Sequence, residues 1–391
     1  MPCLLDLPPE LIDEIVELVH ATHPKQYLGT VHRAFLPVSR RLFFRNLVVT
    51  SFVRLDRLCD LLRQGKAVAQ SVARLELDLA DIDPGLPSSA DVAALLQSLP
   101  SLRILKVRNS TRMVDIATSP LSFKPNVDQL FLDFSHTPHF TAFHPNRFRR
   151  LSPYTNLHVL SIYSMPDGVP PPPVNPFPAP LLINVVDLAL EGRLLDDPAV
   201  PLLLAACPHL RALTLFQDDG TEEGVRLPFG PLLDAVANPA LGELNIGDTG
   251  EYWHSELFSI IERFPQLHGL ALGHGCACAE LVASLHKFLL LSTIIFHPGT
   301  DITTDGILPL LEPTTRPPSL RVLELNNVEP TLAQQSDAYD WSQSFGKSGV
   351  AALLAAAHGA GVELSGYCVD VVKKEQAEAL KQAEAEGSKQ V

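Results

Sequence analysis

Several residue classes are scarce in this chain of 391 residues, and each scarcity removes a class of protein. Six cysteines are too few for a disulfide scaffold at this length. Lysine and arginine number 30 against 44 aspartates and glutamates, a formal net charge of −14. A surface that tracks nucleic-acid phosphates needs clustered cations, so nucleic acid is not an expected partner. No run reaches the roughly 18 consecutive apolar residues that a membrane span requires. Glu10, Asp13, Glu14 and Glu17 interrupt the first apolar stretch, where a secretion signal would be uncharged. These absences predict a soluble intracellular protein, cytoplasmic or nuclear, with no membrane partner.

Chemical signatures are scarce as well. There is no GxSxG elbow, no P-loop, no glycine-rich turn behind a strand and no paired-carboxylate constellation. HGCACAE (274–280) sets His274, Cys276 and Cys278 at alternating positions, whereas zinc sites use C-x2-4-C spacing and a second pair. HTPHFTAFH (136–144) has three histidines without an adjoining acid and reads as a surface loop. Catalysis, a metal and a cofactor are therefore not expected.

Apolar residues, by contrast, make up 46% of the chain, ample for a core, and 34 prolines punctuate it. The pattern apolar-x-x-apolar-x-apolar recurs ten times, as VARLEL, LRILKV, VDQLFL, LHVLSI, VVDLAL, LRALTL, LGELNI, LHGLAL, LSTIIF and LRVLEL. These start at residues 72, 102, 127, 157, 185, 210, 241, 267, 291 and 320, so successive starts lie 24 to 31 residues apart. That spacing is within or just beyond that of leucine-rich repeats. The stretches between them, at 91–99, 199–207, 255–264 and 280–289, carry helical apolar stripes, and several run into a proline before the next motif.

One strand plus one helix cannot bury its apolar side alone, so the units must stack. A doubly wound α/β enzyme also alternates strand and helix. Its central strands read as continuous apolar runs, however, whereas these are short and interleaved with polar residues. The expected fold is therefore α/β: a short N-terminal helical module at 1–46, then a solenoid of about ten or eleven irregular units over 47–370. A charged tail occupies 371–391. VAALLAAAHGAGVELSG (350–366) supplies the last unit. MPDGVPPPPVNPFPAP (165–180) and TLAQQSDAYDWSQSFGKSG (331–349) read as loop insertions.

In each strand the motif's apolar positions point inward, which leaves the intervening side chains on the concave face. Lys106, Arg108, Phe131, Asp133, Tyr163, Glu191, Phe216 and Glu243 are the expected target-binding residues there. The aromatics among them are of the type that dominates binding hot spots. Charge along this face turns from mixed to acidic toward the later strands.

The chain opens LPPELIDEIVELV. Asp6 suits an N-cap and Pro8-Pro9 the first helical turn. Leu11, Ile12, Ile15, Val16 and Val19 give an amphipathic helix with its acids opposite. Further helical faces run through Leu28, Val31, Phe35, Val38, Leu42 and Phe43, and residues 47–50 read as a first strand. This cluster is too small for a robust core alone and must lean on the adjoining domain or on a partner.

LPPELIDEIVELV with TVHRAFLPVSRRLFF after it resembles an F-box, in the form LPxELIxxI, V-x-R-x-F-L and R-x-x-F. The matching positions are Leu7, Pro8, Glu10, Leu11, Ile15, Val31, Arg33, Phe35, Leu36, Arg40 and Phe44. The resemblance implies that these helices dock on a Skp-type adaptor, and through it on a cullin scaffold. Leu7, Pro8, Leu11, Ile15, Leu28, Val31, Phe35 and Leu36 would form the adaptor-binding surface. With the repeats, it implies a non-catalytic F-box/leucine-rich-repeat substrate receptor of an SCF-type ubiquitin ligase. The other reading is a leucine-rich protein-binding scaffold or inhibitor-like protein without a ligase role, whose N-terminal helices cap the first repeat.

Overall fold

A computed structural model describes residues 8–22, 35–64, 66–79, 89–110, 113, 126–134, 151, 154–164, 182–192, 195, 200–216, 229–247, 261–273, 279–297, 302–326 and 346–387. The 136–144 and 165–180 loops, residues 274–278, most of 331–349 and most of the helix expected at 255–264 lie outside the described residues. The chain divides into two compact units, Met1–Val185 and Val186–Val391.

The first unit begins with helices α1 (Pro9–Thr22) and α2 (Leu36–Arg45). Val16, Phe35, Val38 and Leu42 form a buried cluster between them, with Ile12 packed against it. Arg41 and Glu17 tie the two helices at 3.1 Å. The last residue of α2 leads at once into β1 (Asn46–Val49), and α2 packs on the short helix α4 (Lys66–Ser71). Between β1 and α4 runs α3 (Phe52–Gln64), whose Phe52, Leu55, Cys59 and Leu62 are buried at helical spacing. The sheet continues with β2 (Arg74–Asp78), β3 (Ile104–Arg108), β4 (Gln129–Phe134) and β5 (Val159–Ser164). Each strand pairs in parallel with the next in chain order, and α5 (Ser89–Gln97) supplies the helix between β2 and β3.

The second unit repeats the scheme with β6 (Asp187–Gly192), β7 (Ala212–Phe216), β8 (Glu243–Gly247), β9 (Gly269–Leu272), β10 (Thr293–Phe296), β11 (Val322–Leu325) and β12 (Glu363–Ser365). All six neighbouring pairs are parallel and in chain order. Helices α6 (Val200–Ala205), α7 (Phe229–Asp234), α8 (Ala279–Ser284), α9 (Thr304–Ile307) and α10 (Gly346–Ala360) fill the connections. In both units the architecture is the α/β solenoid of the leucine-rich type, parallel strands in sequence order joined by helices.

The LxxLxL phase explains the core. Leu75, Leu105, Leu130 and Leu160 share one register row in the first unit, and Leu188, Leu213, Leu244, Leu270, Ile294 and Leu323 share one in the second. All are essentially inaccessible. Each such side chain contributes about 1.5–3 kcal/mol on burial. Strands β3, β6, β7, β10 and β11 alternate half-buried and buried positions without a break, so every second side chain reaches the opposite face.

The expected helix at 280–289 is shorter: α8 ends at Ser284 and tightens into a 3-10 turn over Leu285–Lys287. The Ser284 hydroxyl donates to the Glu280 carbonyl one turn back, a bond that loosens the regular ladder. The tail is helical as α11 (Tyr367–Gly387). Val369 and Val372 are buried in its first turns, and the stretch from Lys373 to Lys381 is exposed.

A second periodic feature runs along the turns that lead into the strands. Asn126 Nδ2 donates to the Pro100 carbonyl at 2.8 Å, and Asn184 Nδ2 donates to the Thr155 carbonyl. In the second unit Asn238 Nδ2 donates to Leu210 O at 2.7 Å and Ser319 Oγ to Leu289 O at 2.6 Å. A polar side chain just ahead of a strand thus satisfies a main-chain carbonyl of the preceding repeat.

Candidate functional site

Three surfaces stand out on this framework. The first is α1. Ile12 and Val16 pack toward α2, with Val16 only 2% exposed, and the half-buried Val19 continues their helical spacing. Leu11, Ile15 and Leu18, spaced i, i+4, i+7, form a second stripe pointing away, with Leu11 43% and Leu18 66% exposed. Of the residues expected at the adaptor surface, Pro8 is exposed and Ile15 and Leu36 are half-buried. Phe35 is corrected: it is buried among Val16, Val38 and Leu42, so it packs the helix pair together. Leu7, Leu28 and Val31 lie outside the described residues. Leu18 was not singled out from the sequence, although its spacing from Leu11 carried the signal.

The second surface is the sheet face of the first unit. Register aligns Glu76, Lys106, Phe131 and Ser161 in one row, and Asp78, Arg108, Asp133 and Tyr163 in the next. Arg108 stands between two acids, 3.4 Å from Glu76 and 3.4 Å from Asp133. Arg74 reaches the other oxygen of Glu76 at 3.3 Å. Asn109, in the left-handed region at φ 61°, donates from Nδ2 to Asp78 at 2.7 Å. Arg108 and Asp133, expected to contact a target, are therefore engaged with each other and with Glu76. Lys106, Phe131 and Tyr163 are half-buried on the same face. Behind the strand starts, a cavity of about 400 Å3 is lined by Ser101, Arg103, Asn126, Asp128, Asn156 and His158. Arg103 and Asp128 pair there at 3.5 Å.

The third surface is the sheet face of the second unit. Asp187, Ala212, Glu243 and Gly269 form one row; Glu191, Phe216 and Gly247 form another. Strand β9 offers only Gly269 and Ala271 on this face, and side chains of neighbouring strands lie down across the gap. A Cβ at Gly247 would fall 2.1 Å from the Phe216 ring, and one at Gly269 would be 3.2 Å from Cγ of Glu243. Phe216 meets His297 edge-on at 6.3 Å between ring centroids, and His297 Nε2 donates to Asn245 Oδ1 at 3.0 Å. Burial holds the His297 imidazole below its ordinary pKa and so favours the neutral ring, an effect partly offset by Glu324. Burial, and then the Glu243 carboxylate, push Asp187 up. Phe216 and Glu191 are half-buried and Glu243 is exposed, all on the expected face. The flattening glycines were not read from the sequence, though HGLALG places only small residues at its outward positions.

Among the described residues no three His, Cys, Asp or Glu side chains converge as a metal site. Nor is any described helix long and apolar enough to cross a membrane.

No family model and no curated protein matches the chain. Among solved structures it is similar to a chain of the crystal structure of the Rad7 and Elc1 complex in yeast. That match has 14% identity over 91% of this chain and 81% of that one, with a TM-score of 0.41. A likeness at that level carries no argument about function.

Proposed function

We propose that this chain is a non-catalytic substrate-recognition subunit of an SCF-type ubiquitin ligase. Helices α1 and α2 dock on a Skp-type adaptor linked to a cullin, and the repeat sheet holds a protein target. Ubiquitin transfer is then the work of other subunits. The contribution of this chain is proximity, which raises the effective concentration of target lysines at the transfer site.

The observation that carries the reading is the doubled apolar character of α1. One stripe, Ile12 and Val16, is used inside the helix pair, and a second, Leu11, Ile15 and Leu18, faces outward. A capping helix needs only the first. The second lies within the segment that resembles an F-box.

The direct run of α2 into β1, and its packing on α4, favour the scaffold reading, in which the same helices cap the array. Co-purification of the full chain with a Skp-type adaptor separates the two. Leu11→Asp with Leu18→Asp is expected to abolish adaptor recovery while leaving thermal unfolding of the chain unchanged. Adaptor recovery that is absent for the unaltered chain, or unchanged by the double variant, overturns the ligase reading in favour of the scaffold.

A further inference from the structure

The two sheet faces differ in how their charges are used. In the first unit, cations and anions alternate across neighbouring strands and neutralise one another in the chain Arg74–Glu76–Arg108–Asp133. In the second unit the face positions hold Asp187, Glu191, Glu243, Glu324 and Glu363 and, among the described residues, no lysine or arginine. The described arginines of this sheet edge, Arg211 and Arg321, precede the strands. Asp187 and Glu243 flank a single alanine, Ala212, in one row, and burial, then the Glu243 carboxylate, raise Asp187 above its ordinary pKa. Negative charge therefore predominates on this face, which is complementary to a cationic segment.

Two further features sort that cation by chemistry. Phe216 lies flat across Gly247, held edge-on by His297, and Glu191 aligns beside it in the neighbouring strand. An aromatic face next to a carboxylate accepts an ammonium or guanidinium through both charge and the ring quadrupole.

We infer that the sheet face between β6 and β11 docks an extended protein segment rich in lysine and arginine, with Asp187, Glu243 and Glu324 as its charge partners and Phe216 as its aromatic platform. The inference rests on the reading that the repeat sheet holds a protein target, which the ligase and scaffold proposals share. It is independent of the adaptor. It also places recognition on the second unit, away from Arg108 and Asp133, whose charges are already engaged.

The test uses the full chain and two fluorescent peptides, one of repeated Lys-Arg-Gly units and one of repeated Glu-Asp-Gly units, with anisotropy as the readout. The basic peptide is expected to bind, more weakly as salt is raised, and the acidic one not to bind. Asp187→Asn combined with Glu243→Gln is expected to weaken binding about tenfold or more, equivalent to about 1.4 kcal/mol. Phe216→Leu, which keeps an apolar side chain over Gly247, should weaken it further. Equal binding of both peptides or insensitivity to the Asp187/Glu243 pair overturns the inference, as does self-association of the chain that excludes the peptide. Adaptor recovery is scored in parallel. Failure of the peptide alone refutes this face, and failure of the adaptor alone refutes the ligase reading.

Discussion

The ring of Phe216 occupies the space that a side chain at position 247 would need, with Cε2 2.1 Å from where a Cβ would stand. Gly247→Ala must therefore displace the ring from its edge-on contact with His297. The expected cost is about 1–3 kcal/mol, as for other overpacked sites. Adding Phe216→Ala should return part of that loss. A double-mutant cycle in urea unfolding measures the coupling, and strict additivity would show that the ring does not lie over Gly247.

Arg108 holds two acids, one of which, Glu76, has a side chain only 12% exposed. Removing the cation leaves that carboxylate half-neutralised by Arg74 alone. Arg108→Ala is expected to destabilise the chain by about 1–3 kcal/mol, and Glu76→Gln in the same background to recover some of it. Raising salt should affect these partly buried pairs less than exposed ones, because burial limits the access of screening ions.

Asp187 binds its proton more tightly in the folded chain than in the unfolded one, through burial and then Glu243. The stability linked to this group is thus present at low pH and falls as pH rises from the ordinary aspartate range near ~4 through its raised value. Asp187→Asn is expected to melt higher than the unaltered chain at pH 7 and alike at pH 3. Thermal unfolding across that range checks it, and a difference that grows toward low pH would refute it.

Gly366 sits at φ +107° where the chain leaves β12 for α11, and a Cβ there would meet the Leu325 carbonyl oxygen at 2.3 Å. Both the backbone angle and the contact with main chain resist substitution. Gly366→Ala is expected to cost about 3 kcal/mol or more. Gly359→Ala, which meets nothing within 4 Å inside α10, serves as the control and should stabilise slightly.

Strand placement was legible because alternation of period two repeats in every unit, and β2 to β11 all fall on the motifs that announced them. The outward residues were legible for the same reason. Their partners were not, because whether Arg108 stands beside Glu76 or faces solvent depends on a register set by loops of uneven length. Phe35 has the spacing of a surface residue, and only the crossing of α1 over α2 places it inside. Helix α3 was legible in FVRLDRLCDLL and passed over because no LxxLxL motif framed it. Phe216 lies flat because Gly247, far off in sequence, stands beside it in the sheet, a relation that local pattern does not contain.

The bonds from Asn126, Asn184, Asn238 and Ser319 to carbonyls of the preceding repeat end on main chain, so they ask nothing of the side chains they join. A repeat carrying one polar residue ahead of its strand can succeed any other repeat, whatever the length of the loop between. At these four strands the fastening is therefore independent of the facing side chains, which can diverge while it stays intact.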